Sequence, residues 1–200
     1  MRLYLSSYRM GRRSDVLRWA GSGEGRAHIV FNALDIYGEN RTQSFGREED
    51  DLRKLGYTST ELDLRGIHNN DLTEAIATAD LVWVVGGNAF VLAAVAAGAG
   101  LGDALRSAWN RGSHLIYAGY SAGACLAGPD LSGIEIMDDP TEADYDGTPP
   151  TLGLIEQRIV PHWRSDHPES ALAERAAEEL ARRGLDHLRL SDGDDHLVGL

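Results

Sequence analysis

Two stretches leave this chain little choice of architecture. "LVWVVGG" (81–87) and "HLIYAGY" (114–120) are apolar or small at nearly every position instead of at alternate ones. A strand with one wet face alternates; a strand apolar on both faces must be covered on both, as in a parallel sheet between two layers of helices. "RLYLSS" (2–7), "AHIVFNA" (27–33) and "STELDLR" (59–65) are further β-rich runs. Between the runs lie "RSDVLRWAG", "REEDDLRKLG" and "NDLTEAIATAD", with helical spacing and Asp, Asn or Gly at capping positions. This alternation predicts an α/β fold, a three-layer sandwich with a mostly parallel sheet, as one domain over residues 1–200.

The remainder fills in that plan. Residues 88–112 are alanine-rich and helical, split near 96–103 because Gly98, Gly100 and Gly102 disfavour a helix interior. Residues 128–151, with Pro140, Pro149, Pro150 and many acids, predict an irregular excursion holding at most a short hairpin. "LGLIEQRIVPH" (152–162) resumes as a strand, and "PESALAERAAEELARRG" (168–184) is a helix with acids early, arginines late and glycine after it. The last sixteen residues close as two strands around "SDGDD".

Charge excludes some partners. The net charge is −12, and one lysine, Lys54, stands beside eighteen arginines without forming a basic stripe, so neither nucleic acid nor a membrane surface is an expected partner. No run approaches the length of a membrane span, and Cys125 is the single cysteine. These features predict a cytoplasmic protein, a monomer or homodimer, acting on small molecules or peptides.

In parallel sheets ligands gather beyond the carboxyl ends of the strands. "AGYSAGA" sits at such an end and satisfies G-x-S-x-G between a buried strand and a helix start. The small residues let the chain turn sharply and push the Ser121 hydroxyl outward at a helix N-terminus, where a developing oxyanion is stabilised. The plain alternative is that Ser121 only caps the helix; the strand-turn-helix context favours a nucleophile. "VVGGN" ends the neighbouring strand, so the N–H groups of Gly87 and Ala122 are the candidate oxyanion donors, while Asn88 reads equally as a helix N-cap.

His162 in "IVPHWRSDH" stands at a strand's carboxyl end on the same edge as Ser121 and is the candidate base. His28 and His114 fall at strand beginnings, and His68, His187 and His196 read as surface or turn positions. His167 competes, as a cap or a substrate contact. The run His162, Asp166, His167 lacks the spacing of a strong metal motif, so neither metal nor cofactor is expected. The carboxylate that would orient the imidazole is open among Asp138, Asp139, Glu142, Asp144, Asp146 and Glu169.

With these residues assembled, "YLSS", "VVGGNAF", "GYSAGA", the "DDP" segment, "VPHW" and "LSDG" resemble, in that order, the peptidase E (aspartyl dipeptidase) family of serine peptidases, peptidase family S51. The resemblance implies a class I glutamine amidotransferase-like, flavodoxin-like fold with a nucleophile elbow that bears serine. It also implies Ser121 as nucleophile, His162 as base and Asp138 as the aspartate of a D-x-P setting, with Asp139 beside it. Members that cleave after N-terminal aspartate carry a G-H-x-G-E-T-R segment where this chain has "DHPESALAER". His167 and Glu169 have counterparts there and the arginine does not, which makes Arg164 or Arg175 its candidate substitute. The implied activity is hydrolysis of short peptides, Asp-X dipeptides among them. Rival readings are an esterase of the α/β-hydrolase type and a binding protein on the same fold.

Overall fold

The computed structural model describes residues 1–67 and 69–200, and of Glu39, Asn40, Thr42, Gln43 and Asn69 only the backbone; His68 lies outside the described residues. Its central sheet has six strands. These are β1 (Arg2–Ser6), β2 (Gly25–Val30), β3 (Tyr57–Glu61), β4 (Leu81–Val84), β5 (Ile116–Tyr120) and β8 (Asp195–Val198), in the order β3-β2-β4-β5-β1-β8. All neighbours are parallel except β1 and β8.

Alternation along each strand sorts the core into two faces. Leu3, Leu5, Val30, Val82, Val84 and Tyr117 pack against α2 (Asn69–Thr78), α3 (Ala89–Ala99), α4 (Leu101–Asn110) and α5 (Ala122–Cys125). Tyr4, Ile29, Trp83, Val85, Ala118 and Tyr120 pack against Leu52 of α1 (Glu39–Lys54) and Leu17 of the N-terminal loop. Both faces of β4 are therefore dry, which is why "LVWV" shows no polar position. Gly100 is the left-handed residue that separates α3 from α4, as the cluster of glycines predicts.

A second, smaller unit precedes and follows His162. β6 (Arg158–Val160) and β7 (His187–Arg189) form a parallel pair, and α6 (Ser170–Arg182) packs on them through Ala173, Ala176, Ala177 and Leu180.

Three local expectations are corrected. "RSDVLRWAG" is one 3-10 turn, Ser14–Leu17, because Arg13 is tied to Asp195 and the Trp19 N–H to Leu55 over a span too short to nucleate a helix. The 152–162 strand shrinks to three residues, since the N–H groups of Leu152, Leu154 and Ile155 donate to carbonyls of Leu126 and Ala127. Residues 128–151 are irregular as expected, with 3-10 turns at Ile134–Ile136 and Pro140–Glu142 and no strand. The two closing strands are no hairpin, for β7 joins β6 while β8 crosses to pair with β1. No single helix among the described residues is long and apolar enough to cross a membrane.

Candidate active site

The register of the sheet brings three strand ends together. Val84 of β4 lies beside Gly119 of β5, and Ser6 of β1 beside Tyr120, so Gly86–Gly87, Ser121 and Ser7 emerge side by side. Ser121 is held at φ 49° and ψ −116°, with its N–H shared between the carbonyls of Ser6 (3.2 Å) and Ser7 (3.1 Å). That conformation costs a non-glycine residue about 1–3 kcal/mol, and the surroundings impose it. The crowding explains the glycines: a Cβ on Gly119 would come within 2.5 Å of the Gly123 carbonyl oxygen, and one on Gly123 within 2.3 Å of that of Val84.

The Ser121 hydroxyl lies 3.2 Å from His162 Nε2. His162 is buried, at φ 59°, and donates its backbone N–H to Ser7 Oγ at 2.7 Å. Its Nδ1 is 2.9 Å from Asp192 Oδ1, which also accepts from Ser7 Oγ at 2.8 Å. Asp192 is fixed in turn by its N–H, donated to Ser165 Oγ at 2.8 Å. An ionised carboxylate only accepts, so Nδ1 carries the proton and Nε2 presents a lone pair to the serine. Burial pushes the His162 pKa below its ordinary 6.5; the hydrogen bond to Asp192 opposes this and the nearby His167 adds to it. A neutral imidazole at neutral pH follows.

The two aspartates of the D-x-P setting are engaged elsewhere. Asp138 Oδ2 accepts the Ala89 N–H (2.8 Å) at the start of α3, and Asp139 caps its own turn through the N–H and hydroxyl of Thr141. Neither is a hydrogen-bond partner of His162; Asp192 is. Asp138 is pushed up to about 7 by burial, with the Ala89 N–H opposing and the charge of Glu169 reinforcing the rise.

A sequence model of Peptidase family S51 matches residues 39–193. The chain belongs to that family. It is 34% identical over 126 residues to "Peptidase E" of Streptomyces coelicolor, covering 62% of this chain and 49% of that one. It is also 34% identical over 130 residues to "Peptidase E" of Citrobacter koseri, covering 64% and 52%. The matched part thus spans about half the length of these relatives. In fold, the chain superposes on a crystal structure from Listeria monocytogenes EGD-e named "Putative Peptidase E Protein" with a TM-score of 0.83 and 20% identity, over 98% of this chain and 93% of the other.

In this S51 chain a cavity of about 290 Å³ opens beside Ser121, walled among others by Gly86, Gly87, Tyr8, Arg47, His167 and Glu169. Gly87 has φ 141° and a Cβ there would strike the Ala33 carbonyl oxygen at 2.3 Å, so the strand end can turn toward the cavity only with glycine. Ala122 opens α5, whose first N–H groups have no partner within the helix. Asn88 is the N-cap of α3: its side chain accepts from the N–H of Phe90 and Val91 and donates to the Asp139 carbonyl.

His167 stacks on His162, with ring centroids 3.7 Å apart and planes within 9°. Arg164 pairs with Glu174 and lies over Trp163 along a separate groove, and Arg175 is exposed; neither lines the cavity. Arg47 of α1 does, and sequence reasoning passed over it, as it passed over Asp192, Ser7 and Ser165. Ser7 and Asp192 stand in the "YLSS" and "LSDG" segments but no role was read for them, nothing local marks Arg47 or Ser165, and all four are brought in by the tertiary fold.

Proposed function

We propose that this chain hydrolyses short peptides through an acyl-enzyme, as a serine peptidase. The observation that carries the reading is the unbroken line Ser121 Oγ, His162 Nε2, His162 Nδ1, Asp192 Oδ1. His162 takes the Ser121 proton as the hydroxyl attacks the peptide carbonyl, and Asp192 keeps the imidazole in the tautomer that can accept it. The positive φ of Ser121 at a strand-to-helix turn is that of a nucleophile elbow. N–H groups of Ala122 and Gly87 hold the oxyanion, and His162 returns the proton to the leaving amine before water releases the acyl group.

A cavity of this size takes one or two residues rather than a folded chain. Arg47, the one arginine or lysine lining it among the described residues, favours an acidic first residue, which supports Asp-X dipeptides. Family membership favours peptides over esters, and the aligned Ser121 and His162 argue for an enzyme over a binding protein on the same fold.

The test is turnover of X-Leu dipeptides with X varied, by wild-type and Ser121→Ala protein. Wild type cleaves, and Ser121→Ala loses on the order of 10⁵-fold or more in kcat. Equal rates for the two proteins would overturn the reading.

A further inference from the structure

We propose that His162, His167 and Glu169 form a site for one divalent ion of the zinc class, and that the bound ion switches the catalytic base off. The first reason is proximity. One nitrogen from each histidine and one oxygen of Glu169 lie within 4.8 Å of one another. His162 Nε2 and Glu169 Oε2 are 3.9 Å apart, too far for a hydrogen bond. Two ligands each about 2.1 Å from a tetrahedral ion sit about 3.4 Å apart, so only a small closure joins them.

The second reason is how His162 is held. Asp192 accepts from Nδ1 at 2.9 Å, which fixes the tautomer and aims the Nε2 lone pair away from the carboxylate. A carboxylate behind a histidine in this way orients and strengthens metal-ligating imidazoles generally.

The third reason is the ligand set. Two imidazoles and one carboxylate leave a fourth position, and Ser121 Oγ, 3.2 Å from Nε2, stands next to it. Such a set selects zinc-like ions over magnesium or calcium, which demand oxygen ligands. His167 must move to take part: its ring turns about the Cα–Cβ bond out of the stack on His162, and Nδ1 releases the Glu169 N–H that it accepts at 3.2 Å. The run 162, 166, 167, set aside on its spacing, does not supply the acid: Asp166 is exposed, whereas Glu169, at the start of α6, lines the cavity with both histidines.

The lone pair that binds the ion is the one that accepts the Ser121 proton, so occupancy and acylation exclude each other. This consequence, unlike the binding itself, rests on the peptidase reading above. Calorimetric titration of the full-length Ser121→Ala protein with zinc chloride and with magnesium chloride separates the two. One zinc per chain is expected, with no magnesium uptake at the same concentrations. His162→Ala should abolish the zinc uptake, and His167→Ala or Glu169→Gln should each weaken it by about tenfold or more, in proteins whose melting temperature matches the parent.

Saturable binding indifferent to His167→Ala and Glu169→Gln, or no saturable binding, overturns the site. A visible cobalt spectrum of tetrahedral type, lost in His167→Ala, gives a second readout. In wild type, zinc should stop dipeptide turnover and a chelator restore it. Zinc that binds without slowing turnover overturns the switch, whereas absence of all turnover without zinc overturns the peptidase reading and leaves the calorimetry to judge the site.

Discussion

The Ser121 turn and the His162 turn make a natural pair: each follows a strand, and each holds a non-glycine residue at positive φ, 49° and 59°. They are held by different means. Around Ser121 part of the constraint is local, because Gly119 and Gly123 touch and α5 begins at the next residue, and the Ser6 and Ser7 carbonyls complete it by taking the Ser121 N–H. Around His162 it comes from across the chain, through Ser7 on the backbone N–H, Asp192 on the ring and Leu190, whose carbonyl accepts the Trp163 N–H. Much of the Ser121 turn can thus be written into six consecutive residues, while the alignment of His162 with it is a property of the assembled fold.

The strongest way to break this contrast is at the distant acid. Asp192→Asn keeps the size of the side chain but allows the wrong His162 tautomer, and kcat should fall by about 10⁴-fold with the fold intact. Asp138→Asn should stay within about tenfold of wild type, since an amide oxygen can still accept the Ala89 N–H. The reverse ranking in steady-state kinetics would return the orienting role to Asp138.

The Ser121 side of the contrast predicts a loss of stability next in size. Gly123→Ala drives a methyl against the Val84 carbonyl oxygen, backbone on both sides, and should cost about 2–4 kcal/mol by denaturant titration. Gly98→Ala supplies the control: it sits in α3 with open space around it and should gain about 0.5–1 kcal/mol.

Those two regions also show what could be read in advance. The sandwich was legible because Trp83 and its neighbours are dry on both faces, and Ser121 because small residues surround it at a strand-to-helix turn. The second unit was not. The closing strands looked like a hairpin, yet the chain between Arg189 and Asp195 passes from one sheet to another, and Asp192 reaches His162 only because of that crossing. Asp138 satisfied a pattern, but burial and the helix start above it decide what its carboxyl does. Arg47 lay in a helix read only for its spacing; its place at the cavity depends on how α1 docks on the sheet.

Ser7 links the two turns and sharpens the comparison with a smaller effect. It follows β1, accepts the His162 N–H and donates to Asp192. Ser7→Ala leaves that buried N–H without an acceptor, which should cost about 1–3 kcal/mol in stability. It also frees Asp192 on one side, and kcat should drop by about tenfold, equivalent to about 1.4 kcal/mol in the barrier. A stability loss with unchanged kcat would show that Ser7 supports the turn and not the ring.

The subtlest separation of the two aspartates is by pH. The ordinary carboxyl of an unfolded aspartate titrates near 3.8, and that of folded Asp138 near about 7. Between these values the folded chain holds a proton that the unfolded chain has released, so Asp138 makes stability fall as pH rises from about 4 to about 7. His162 acts in the opposite sense below its ordinary 6.5, because its folded pKa is lowered, but it does so equally in wild type and in Asp138→Asn. The difference between the two proteins therefore isolates Asp138: denaturant midpoints should lie close together near pH 4, diverge in favour of Asp138→Asn as the pH rises to about 7, and keep that separation above it. Parallel curves would mean that Asp138 ionises as freely as an exposed carboxylate, and would remove the physical ground for giving Asp138 and Asp192 different work.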